Sequence, residues 1–132
     1  MRLRVIVFLL LVSLSGLTDQ VLADCTESRI VHVVLVWLKE PGNQEHRAQV
    51  IEATRRFEEI PGIEEIRVGQ PISSQRSMVD NSYDIGLYMT FVSTAALDTY
   101  LAHPVHKNAQ RSVLRPLVSK VVVYDFEDNG TC

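Results

Sequence analysis

The chain has 132 residues, with 13 Lys and Arg against 16 Asp and Glu and a formal net charge of −3. That length allows one domain with a modest single core. A mildly acidic balance with no basic run excludes nucleic acid and anionic membrane surfaces as partners.

The first elements are a basic stretch, MRLR, and an apolar run, VIVFLLLVSLSGL. The run is too short to span a bilayer comfortably and has the layout of a secretory signal peptide. Val21 and Ala23 supply the small residues of a cleavage site between Ala23 and Asp24. Residues 1–23 are therefore expected to be a signal peptide and residues 24–132 a single exported domain, periplasmic or secreted, with no membrane attachment after cleavage. Asp24 occupies the place before Cys25 where a lipoprotein signal needs a small neutral residue. Cleavage leaves 11 basic and 15 acidic residues, a formal charge of −4.

Residues 29–39, RIVHVVLVWLK, are rich in β-branched side chains and apolar on both faces. Ile30, His32, Val34, Val36 and Leu38 share one face; Val31, Val33, Leu35 and Trp37 share the other. The absence of alternation predicts a strand covered on both sides. EPGN is a turn signal. Residues 44 to about 59 carry Val50, Ala53, Phe57 and Ile60 at helical spacing among charges, which predicts an amphipathic helix that stops at Pro61 and Gly62. His46 falls on its solvated face.

Residues 63–72 read as a polar edge strand and 83–93, YDIGLYMTFVS, as a second apolar strand. Ser93 is an N-cap for a helix through TAALDTYLAH. Pro104 breaks that helix and can open another. Residues 117–127 form the last strand. The order strand, helix, strand, strand, helix, strand is the ferredoxin-like α+β pattern, an antiparallel four-stranded sheet with helices on one face.

In that pattern the start of the first strand meets the end of the fourth. Cys25 and Cys132 flank those ends, so a disulfide between them is expected in an oxidising compartment. Chain-entropy arguments give such a long loop about 4–5 kcal/mol. Two helices cover only one face of the sheet. The row Val31, Val33, Leu35 and Trp37 needs another cover, and a second copy of the sheet supplies it, making a homodimer.

Three polar ring side chains lie within TYLAHPVHKN: Tyr100, His103 and His106. His103, directly before Pro104, reads as a cationic helix cap. His32 stands on an apolar strand face, where desolvation demands a partner: it is either a buried histidine hydrogen-bonded to a neighbouring backbone or side chain, or a pocket group that contacts a ligand, with His106 the natural partner and Tyr100 completing a polar patch. A metal site from His32, His103 and His106 is disfavoured, because Pro104 spoils the helical spacing and no carboxylate or cysteine is obviously close. No metal or other cofactor is expected. Asn129 begins an NGT glycosylation pattern, relevant only in a eukaryotic host.

The segments IVHVVLVWLK, IPGI, RVGQP, YDIGLYMTF, YLAHPVHK and VVVYDFE together resemble the stress-responsive A/B barrel (Dabb) family, over about residues 29–127. The resemblance implies a dimeric α+β barrel of ferredoxin-like protomers. Functions in the family are scattered. One relative type is a plant polyketide cyclase that makes olivetolic acid by aldol condensation. Carried over residue by residue, its base falls at His106, its tyrosine at Tyr100 and its first-strand histidine at His32. A further histidine falls at Ile85, so that constellation is incomplete here.

The pocket expected between the sheet and the second helix is lined by His32, Val34, Ile85, Leu87, Tyr100 and His106. Three readings stay open. The chain binds a small hydrophobic or aromatic molecule; or His106 and Tyr100 perform acid/base chemistry on a polyketide-like or phenolic substrate; or the dimer is purely structural.

Overall fold

A computed structural model gives the structure of residues 28–130. The expected signal segment with its cleavage site, and the expected Cys25–Cys132 bridge, lie outside the described residues.

Strand β1 spans Arg29–Leu38 and helix α1 spans Gln44–Arg55, which tightens into a 3-10 turn over Arg56–Glu59. Strands β2 (Ile63–Gly69) and β3 (Ile85–Phe91) follow, then α2 (Thr94–Ala102) and α3 (Pro104–Ala109). A π turn over Gln110–Leu114 and a last helical turn over Arg115–Leu117 lead into β4 (Val118–Asp128). The sheet order is β2-β3-β1-β4, antiparallel throughout. This is the ferredoxin-like arrangement expected from the sequence, with β1 in the interior of the sheet.

Local chemistry sets the element boundaries. Asn43 caps α1 by accepting from the His46 N–H at 3.0 Å. Ser93 caps α2, as its position predicts, accepting from Ala96 at 3.2 Å. Pro104 occupies the first turn of α3, where its missing N–H leaves no orphan. Each cap satisfies an amide that the helix itself cannot.

Register fixes which side chains share a face. His32 lies opposite Met89 and Asp125, Val34 opposite Leu87 and Val123, and Val36 opposite Ile85 and Val121. These residues look toward the helices, where Val34, Val36, Leu38, Ile85, Leu87, Met89 and Phe91 pack against Val50, Phe57, Leu97 and Tyr100. On the opposite face Val33 stands between Tyr88 and Tyr124, and Val31 between Thr90 and Phe126. Tyr124 is 57% exposed and Phe126 54%. Trp37 is held there by three contacts: its Nε1–H donates to Ser82 at 3.0 Å, Tyr83 meets it edge-on, and the Lys120 ammonium lies 4.3 Å from its ring centre.

The third strand begins two residues later than the apolar run suggests. Tyr83 flanks Trp37, and Asp84 turns into the protein, 5% exposed. Its carboxylate accepts from the Leu38 N–H at 2.9 Å and the Gly42 N–H at 2.7 Å. Arg47 lies 3.5 Å from the same carboxylate and donates through Nε to the Asp84 carbonyl at 3.2 Å. The end of β1, the turn, α1 and β3 are thus tied at one side chain.

Gly62, in IPGI, has φ +91°, and a Cβ built there would stand 2.8 Å from the Cβ of Ala96 in α2. Gly62→Ala is expected to cost about 2–4 kcal/mol, combining the left-handed backbone penalty with an overpacked helix contact. Chemical denaturation should show this as a lower midpoint at unchanged slope.

Candidate functional site

His32, Tyr100 and His106 converge, with the Tyr100 ring standing between the two imidazoles. Its centroid lies 5.7 Å from that of His32 and 4.3 Å from that of His106. Phe57 and Phe91 complete the cluster at 5.5 and 5.3 Å from Tyr100. All three polar residues are buried: His32 is 4% exposed, Tyr100 1% and His106 8%. The strand face presents His32, α2 presents Tyr100 on its buried stripe, and Pro104 restarts the helix so that α3 turns His106 inward.

The other expected lining residues belong to the packed core and line neither the groove between α1 and α3 nor the one between the π turn and β4. Val34 and Leu87 form the next cross-strand pair along the sheet from His32, and Ile85 sits one pair further, opposite Val36. All three are part of the packed core.

The partner of His32 is not His106. Its Nδ1 meets the Asp125 carboxylate of β4 at 2.5 Å, directly across the strand pair. The Nδ1–H donates, which fixes the tautomer and satisfies the buried ring. Asp125 was missed in the sequence, although it is the polar position that follows Val121 and Val123 on the helix-facing side of β4. His103 does cap a helix, but as an acceptor: its Nδ1 takes the Val105 N–H at 3.3 Å at the start of α3. A cation could not play that part. His46 is half-buried rather than solvated, and its Nδ1 is enclosed without a hydrogen-bond partner among the described residues.

His106 is oriented by the backbone. Its Nδ1–H donates to the Leu101 carbonyl at 3.2 Å. The lone pair therefore resides on Nε2, whose contact is the Gln110 amide at 3.5 Å. Burial pushes the His106 imidazolium below the ordinary histidine range; the Leu101 carbonyl opposes this, while His32 and Lys107 reinforce it. His106 is thus a neutral base at pH 7. Burial pushes the Tyr100 phenol well above its ordinary value of 10, so it is a neutral donor. Among the described residues its hydroxyl makes no hydrogen bond. Together they offer one acceptor and one donor inside an aromatic wall.

Linkage gives His106 a stability signature. A histidine whose pKa is depressed on folding binds its proton more readily in the unfolded chain. Stability is therefore retained above the unfolded value near 6.5 and lost as pH falls below it. Relative to His106→Gln, the wild type should lose stability on going from pH 7 to pH 5, read from urea midpoints at each pH.

Grooves open on the helix side. One of about 250 Å3 runs between α1 and α3, past Ala53, Arg56, Val105 and Ala109. Another of about 340 Å3 lies between the π turn and β4, lined by Gln110, Leu114, Arg115, Val118 and Val121 among others. Among the described residues no three His, Cys, Asp or Glu side chains gather as metal ligands would, and no helix is long and apolar enough to cross a membrane.

A four-stranded antiparallel sheet in this order, helices on one face and an aromatic–histidine cluster between the layers, defines a ferredoxin-like α+β domain. The chain belongs to the stress responsive A/B barrel domain family, Dabb, whose model matches residues 30–128.

Solved structures agree with that assignment. A Dabb family protein with a ferredoxin-like fold from Mesorhizobium loti superposes with a TM-score of 0.62 at 25% identity, covering 76% of this chain and 96% of that one. A dimeric ferredoxin-like protein of unknown function from Thermobifida fusca gives 0.62 at 20%, covering 76% and 92%. The hydroxynitrile lyase of Passiflora edulis gives 0.66 at 20%, covering 79% and 96%. At 20% identity the likeness is one of fold. No curated protein matches the chain by sequence.

Proposed function

We propose that this is an exported homodimer that binds a small hydrophobic or aromatic molecule at the His32–Tyr100–His106 cluster. The observation that carries the reading is the pair of polar atoms that the buried residues Tyr100 and His106 bring to this aromatic cluster, Tyr100 Oη and His106 Nε2. The first makes no hydrogen bond among the described residues and the second only a long one. Each atom therefore keeps hydrogen-bonding capacity that a ligand can use. The surrounding rings suit an apolar body.

Export rests on the layout of residues 1–23. The Cys25–Cys132 bridge is supported by the pairing of Arg29 with Asp128 at the ends of β1 and β4, since each cysteine lies four residues beyond its end. The dimer is supported by exposed Tyr124 and Phe126 on the face away from the helices and by dimeric proteins of this fold. An apolar sheet face of this kind is a normal interface core.

A second reading is acid/base chemistry by His106 with Tyr100. The tautomer fixed by Leu101 favours it, because Nε2 is held ready as a base. The lyase among the fold neighbours shows only that the fold can house an enzyme.

The test uses 4-fluorophenol followed by fluorine NMR. Wild type should bind it, and Tyr100→Phe and His106→Ala should each weaken binding about tenfold, one hydrogen bond's worth. Equal binding by all three proteins overturns the site. A wild type that consumes candidate substrates, with turnover abolished in either variant, promotes the second reading.

A further inference from the structure

We propose that the groove between the π turn and β4 is the ligand's entry, and that Gln110 is its latch, occupying His106 Nε2 until a ligand hydroxyl displaces it. This rests on the binding reading above and adds the route, the gating residue and the ligand's head group.

The argument starts from the placement of Gln110. It lines the groove, and its side-chain amide also contacts His106 Nε2 at 3.5 Å. One side chain therefore bridges the surface opening and a buried imidazole. The residue also begins the π turn. Such a turn inserts one residue into the helical repeat, re-aims the side chains after it, and is frequent at functional sites. Gln110 and Leu114, its first and last residues, both line the groove.

The opposite wall is β4. Val121 and Val123 face the helices, opposite Val36 and Val34, yet they are 43% and 45% exposed. An apolar strip thus stays uncovered on the same sheet face that carries His32 and Asp125. It leads from Val118 toward the cluster.

The head group follows from hydrogen-bond complementarity. His106 Nε2 is an acceptor only, because the ring proton is committed to Leu101. Tyr100 is a neutral donor. A group that both donates to Nε2 and accepts from the phenol is a hydroxyl. A ligand O–H donating at ordinary length, about 2.7–2.9 Å, outcompetes an amide held at 3.5 Å. The occupant is a small apolar alcohol or phenol that passes Leu114, Val118 and Val121 on its way to the cluster.

The experiment compares 4-fluorophenol with 4-fluoroanisole, which has no donor, by fluorine NMR on the full exported chain. Wild type should favour the phenol, and that preference should vanish in His106→Ala. In Gln110→Ala it should grow about threefold, because the competing amide is gone. Val121→Trp, which fills the groove without touching the cluster, should weaken both probes.

Normal binding in Val121→Trp overturns the groove while leaving the cluster as the site. A phenol preference identical in wild type, Gln110→Ala and His106→Ala overturns the latch and the hydroxyl. A wild type that takes up neither probe overturns the cluster reading and this one with it. As a ligand-free check, the His106 imidazole nitrogen shifts should move in Gln110→Ala at pH 7; unchanged shifts overturn the Gln110–His106 contact.

Discussion

Replacing Asp84 by alanine is expected to cost about 3–5 kcal/mol, the range for breaking a buried, hydrogen-bonded charge network by removing one partner. The carboxylate satisfies two backbone amides, those of Leu38 and Gly42, and faces Arg47. Alanine leaves both amides without their acceptor and the guanidinium without its counter-charge. For a domain near 100 residues this lowers the melting temperature by about 15 °C or more. Asp84→Asn keeps one acceptor oxygen but sets an amide donor against another donor, so its loss should be intermediate. Thermal scans of the two variants check the order. Equal stability of wild type and Asp84→Ala would show that the tie contributes nothing.

Tyr100 separates stability from function. The ring is 1% exposed and touches His32, Phe57, Phe91 and His106. Tyr100→Ala removes the hub of that cluster and should cost about 3–5 kcal/mol, as aromatic-to-alanine changes in cores do. Tyr100→Phe keeps the ring and deletes only a hydroxyl that makes no hydrogen bond among the described residues. Its stability should stay within about 1 kcal/mol of wild type, on the favourable side if anything. Yet the same variant should lose binding. A large loss of stability in Tyr100→Phe would mean that the hydroxyl serves the fold and not a ligand.

Much of this architecture was legible because it depends on local pattern. The two apolar faces of β1 reveal an interior strand. Ser93 and Pro104 mark helix starts through their own chemistry, and the element order selects the topology. The site was legible in part: His32, Tyr100 and His106 do converge. Asp84 and Asp125 were not, because their meaning lies in partners 46 and 93 residues away. A carboxylate after an apolar run reads as a strand end until the register shows what stands opposite. The half-burial of His46 and the acceptor role of His103 were hidden for a related reason. A histidine's letter does not say which nitrogen holds the proton. The π turn also left no trace, since one inserted residue disturbs a periodicity that Pro116 already interrupts.

The outermost strand has a colloidal consequence. β4 is an 11-residue border of the sheet, with one row of backbone donors and acceptors turned outward. Unguarded borders of this kind stitch molecules into fibrils. Toward its end β4 interleaves rings with acids: Tyr124, Asp125, Phe126, Glu127 and Asp128. Asp125 is committed to His32, so Glu127 and Asp128 remain as the repelling pair. They act as gatekeepers against edge-to-edge pairing of that backbone row at high concentration.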